Sequence, residues 1–143
     1  MTKIQQQISV VTLGTADMAR SHRFYSEGFG WETVFENEFI HFYQMNGMVL
    51  GLFRNDMMLE DSGRAAFNPS GAFALGHNVA KAEDVAPLME RLVAAGGRII
   101  QPAAAPPHGG MRGYVTDPDD NAWEIAWNPA WTIDEHGHVT FGV

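Results

Sequence analysis

The sequence of 143 residues has no cysteine, which removes thiol nucleophiles, thiolate zinc sites and iron–sulfur clusters from consideration. It is also short of positive charge, with nine Lys plus Arg against seventeen Asp plus Glu and a formal net charge of −8. That balance disfavours a nucleic-acid partner, which is held through its phosphates, and favours a cationic ligand. No apolar run approaches the roughly 18 residues of a membrane span, and residues 1–7 lack the apolar stretch of a signal peptide. The expectation is a cytoplasmic protein with no membrane partner. What is present is 45% hydrophobic residues in a single domain, 1–143. A chain of this length buries about two thirds of its unfolded surface and needs no disulfide or structural metal for stability.

Residues 8–15 are β-branched and compact, and Asp17 is placed to cap a helix over about Met18 to Glu27, stopped by Gly28 and Gly30. Strands are expected near Glu32 to Phe35, Phe39 to Met45 and Met48 to Arg54, the last two joined by Asn46-Gly47, a strong hairpin signal. A loop over 55–70 leads into a strand at Gly71 to Val79, a helix near Glu83 to Ala95 ending at Gly96-Gly97, and strands at Arg98 to Gln101, Met111 to Thr116 and Ala122 to Trp127. Pro87 falls in the first turn of its helix, where its missing N–H costs nothing. Segments 8–54 and 71–127 therefore both read strand, helix, strand, strand, strand, followed by a tail over 128–143.

Val11-Thr12-Leu13-Gly14, Asp17-Met18-Ala19-Arg20-Ser21, Phe24-Tyr25, Gly96-Gly97 and Asp117-Pro118-Asp119 with Asn121 and Glu124 together resemble the vicinal oxygen chelate superfamily. That superfamily comprises glyoxalases, dioxygenases, fosfomycin-modifying enzymes and bleomycin-binding proteins. The resemblance implies an α+β fold of two βαβββ modules, about 8–54 and 71–127, forming a curved mixed sheet around a concave cleft. Asp120 stands where the family's turn usually has glycine, and Asp tolerates the left-handed conformation at modest cost.

The resemblance also implies a divalent metal held by side chains from the first and fourth strands of each module. Those positions fall on Val10, Gly51, Ala72 and Glu124, and strand alternation places no other ligand on the same faces. One carboxylate cannot hold a catalytic ion alone, so no metal and no cofactor is expected in the cleft. His22 is expected on the exposed side of its helix, His41 and His77 on the core side, and His136 and His138 in the polar tail.

The cleft is expected to be apolar, with a few polar groups. Thr12, Phe42, Gln44, Phe53, His108, Arg112, Tyr114 and Glu124 are the candidate ligand-binding residues, and Glu124 is the catalytic candidate. Glu124 either pairs with Arg112 across the strands or acts as a general base. The leading expectation is a small-molecule-binding protein. The alternatives are a lyase, isomerase or dioxygenase with a relocated metal, or a metal-free proton-transfer enzyme using Glu124. Residues 56–63 are expected to form a mobile surface linker, with a flexible lid or a dimer contact as the alternatives, and with the tail they point to a homodimer.

Overall fold

The computed structural model describes residues 3–68 and 71–143. Residues 1 and 2 of the amino-terminal segment, and 69 and 70 at the end of the expected 55–70 loop, lie outside the described residues.

The first half contains β1 (Val10–Thr15), α1 (Met18–Arg23), β2 (Thr33–Glu36), β3 (Ile40–Gln44) and β4 (Val49–Arg54). Its sheet runs β1-β4-β3-β2, with β1 parallel to β4 and the other pairs antiparallel. After α2 (Asn55–Ser62) the order repeats as β5 (Leu75–Asn78), α3 (Val85–Ala94), β6 (Arg98–Ala104), β7 (Met111–Thr116) and β8 (Ala122–Trp127). The second sheet runs β5-β8-β7-β6. A short hairpin of β9 (Thr132–Ile133) and β10 (Val139–Thr140) forms in the tail. The result is the expected α+β fold of two four-stranded mixed sheets, with no closed barrel.

Alternation along the strands sets the faces. Leu13, Thr15, Tyr43, Leu50 and Leu52 are buried on the helix side of the first sheet, and Val115, Trp123 and Ile125 on that of the second. Asp17 caps α1 by accepting from the Arg20 N–H at 3.0 Å. The expected ten-residue helix ends as an α-helix at Arg23 and continues as a π-turn over Phe24–Gly28. Phe24 and Tyr25 are both fully buried there, and aromatic bulk at adjacent positions is served by the wider turn.

Other boundaries moved. The connection after β4 is not wholly a loop, because Asn55–Ser62 is helical and ends at Gly63 with φ 75°. No residue of this helix is buried, so it carries no apolar periodicity for a sequence reading to detect. β5 is shorter than expected, and β6 continues through Pro102 to Ala104 by way of two register shifts against β7. Pro87 occupies the first turn of α3, and Asp120 adopts φ 69°, both as expected.

Candidate functional site

The cleft face of the second sheet is built by β7 and β8. Their register sets Tyr114 opposite Glu124 and Arg112 opposite Ala126. Directly opposed side chains lie on one face and touch, and the Tyr114 hydroxyl donates to Glu124 Oε2 at 3.1 Å. Of the two expectations for Glu124, the ion pair with Arg112 is not formed among the described residues, because Arg112 sits two residues along from the position facing Glu124. Burial, then the hydrogen bond to Glu124 and its negative charge, push the Tyr114 phenol up, which keeps it a donor. His108, Arg112 and Glu124 line one cavity of about 200 Å³, together with Pro106 on the loop before β7 and Trp131 of the tail.

The other candidates lie on the first sheet. Thr12, Gly51 and Phe42 are aligned across β1, β4 and β3. Thr12 lines a different cavity of about 470 Å³, with Asn55 and Met58 of α2, Phe67, Ala72 and Asp119. Met58 and Ser62 of the segment expected to be a linker, a lid or a dimer contact thus form part of a wall of this second cavity. Phe42 packs on Phe35 with ring centroids 6.2 Å apart. Gln44 turns back to donate to the Met45 and Met48 carbonyls. Phe53 is half-buried on the same face as Gly51. The structure therefore gathers His108, Arg112, Tyr114 and Glu124, and leaves Thr12, Phe42, Gln44 and Phe53 apart from them.

Sequence reasoning missed one cluster. His22 is half-buried, not exposed, and its Nδ1 lies 3.1 Å from Nδ1 of His41. Glu36, directly opposite His41 across β2 and β3, completes a group whose ligand atoms all lie within 4.8 Å of one another. The signal was present as an Glu36/His41 cross-strand pair. It was hidden because the strand was expected to end at Phe35 and His22 was expected to face solvent.

A family model for the glyoxalase/bleomycin resistance protein/dioxygenase superfamily matches residues 7–125. The chain belongs to that superfamily. It is 56% identical to a glyoxalase-related enzyme from Fulvimarina pelagi, over 97% of this chain and 100% of that one, with a TM-score of 0.94. A superfamily enzyme from Burkholderia phytofirmans (20% identity, TM-score 0.76, 83% and 96% covered) shares the fold. So does the fosfomycin resistance protein FosX from Listeria monocytogenes (18% identity, TM-score 0.69, 87% and 95% covered). No curated protein gives a significant match.

The superfamily's metal can be tested against these side chains. Gly51 offers no donor, and a Cβ on it would stand a tight 3.2 Å from the Phe42 ring. Val10 is aliphatic, Ala72 lines the other cavity, and the residue opposite Glu124 on β5 is Gly76. Among the described residues, no group of three His, Asp or Glu converges on the cleft face. The residues at the inherited positions therefore do not fit the superfamily's metal.

Proposed function

We propose that this superfamily member binds a small polar molecule on the cleft face of its second sheet, without the inherited metal centre. The observation that carries the reading is Glu124, which accepts from Tyr114 and lines one cavity with Arg112, His108 and Trp131. A carboxylate and a guanidinium on one face suit a ligand with a cationic group and a separate acceptor, and the acidic chain as a whole draws in cations. We read the protein as cytoplasmic. Exposed Ile8, Val10, Val139 and Phe141 favour a homodimer, which light scattering on a sizing column tests.

The experiment is mass spectrometry of small molecules released by denaturing untagged protein. A stoichiometric compound that Arg112→Ala fails to retain supports the reading, and a compound retained equally by both proteins contradicts it. A second reading is proton transfer by Glu124, favoured by its hydrogen bond from Tyr114. It requires that Glu124→Gln keep ligand binding while losing turnover.

A further inference from the structure

The His22, Glu36 and His41 cluster lies on the opposite side of the first sheet from the cleft face. His41 points to the helix side, as Tyr43, Leu50 and Leu52 do, and α1 carries His22 over it. We propose that these three residues bind one divalent transition-metal ion of the zinc class.

Three elements converge to supply the donors: α1 gives His22, β2 gives Glu36 and β3 gives His41. A tetrahedral ion at the ~2.0–2.1 Å zinc–nitrogen distance sets its ligand atoms about 3.3–3.4 Å apart. The two Nδ1 atoms, at 3.1 Å, already stand close to that edge length. The ring planes stand at 82° with centroids 4.9 Å apart, and the two rings approach each other through their Nδ1 atoms. Two ring nitrogens at this distance cannot both carry a proton, and an ion between them replaces the one that is shared. Glu36 brings the negative charge, and the Thr33 hydroxyl, donating to its Oε2 at 2.8 Å, orients the carboxylate. Tyr43 Oη lies 3.4 Å from His22 Nδ1, a polar group beside the site. Two imidazoles and one carboxylate select zinc, nickel or copper over magnesium or calcium, which prefer all-oxygen sites. Three protein ligands leave a position for water, and the exposure of Glu36 lets water reach it. The ion would pin α1 to the β2–β3 edge.

The test uses full-length untagged protein stripped by a chelator and titrated with zinc by calorimetry, and with cobalt(II) by visible absorption. The expected result is one ion per chain and the d–d bands of tetrahedral cobalt. Glu36→Gln and His22→Ala should each weaken zinc by more than the about 10–100-fold that changes behind a ligand cost. A variant with both His136→Ala and His138→Ala, the other close histidine pair, should bind as the parent does. Glu36 is exposed, so Glu36→Gln keeps the fold, and its unchanged affinity alone would overturn the proposal. Loss of binding in the tail variant would overturn it too, by placing the ion at the tail. Because the cluster is separate from the cleft, neither result bears on the small-molecule reading.

Discussion

The Tyr25 hydroxyl is wholly buried, donates to Asp117 Oδ2 at 2.7 Å and accepts from Trp123 Nε1 at 3.1 Å. Asp117 also receives the Asp119 and Asn121 N–H groups and the Asn121 amide, each at 2.9 Å. Burial pushes the Asp117 carboxyl up, and these donors offset part of that penalty. Tyr25→Phe should therefore cost about 1–3 kcal/mol in urea unfolding, because it leaves the Trp123 N–H unsatisfied and Asp117 one donor short. His77, packed on Phe29 and Trp31, has its pKa lowered by burial. The unfolded chain then binds the proton more readily, so the His77 contribution is present above the ordinary value of 6.5 and is lost as pH falls through the lowered one. Stability measured by denaturant between pH 7 and 5 should fall with acidification, and His77→Gln should make the slope shallower. At this scale the sequence was readable where a residue's role is local: Asp17 as a cap, Asp120 in a left-handed turn, Pro87 in a first turn. It was not readable for His22, whose surroundings come from a strand distant in sequence.

Helix α3 ends where Gly97 passes under the first half. A Cβ there would stand 2.8 Å from the Thr116 carbonyl oxygen and 2.7 Å from the Phe24 ring. Because one of those neighbours is backbone, relief requires the strand itself to move. Gly97→Ala should destabilise by about 1–3 kcal/mol, read as a lowered midpoint in denaturant. Elements with an apolar period or a strong turn signal matched their expected places, as with β7, β8 and the Asn46-Gly47 hairpin. α2 did not, because a helix without a buried face leaves no periodic trace. The extension of β6 through Pro102 depends on register shifts that only its partner strand reveals.

Across the whole molecule, Asp119 ties the second half to the first. Its carboxylate accepts from Thr15 Oγ1 and Ser21 Oγ, both at 2.7 Å, from Ala16 N at 2.9 Å and from Arg20 Nη2 at 3.0 Å. Asp119→Ala should cost about 1.5–3 kcal/mol, since hydrogen bonds to a charged acceptor are lost while the Thr15 and Ser21 hydroxyls stay buried. The fold was legible because the order strand, helix, strand, strand, strand recurs in both halves. Of the candidate site, strand parity read which side chains share a face, as with Tyr114 and Glu124, whereas the convergence of His108 with Glu124, and the separation of Thr12 from them, depend on where the loops and tail lie. The cleft around Glu124 is proposed to bind its ligand without a metal there. Thermal melting of chelator-stripped protein against a panel of antibiotics and metabolites tests it most directly, because a ligand of the native state must raise the melting temperature. A compound should raise it in the presence of chelator and fail to do so with Arg112→Ala. A compound that acts only when a divalent ion is restored, or that stabilises Arg112→Ala equally, would contradict it.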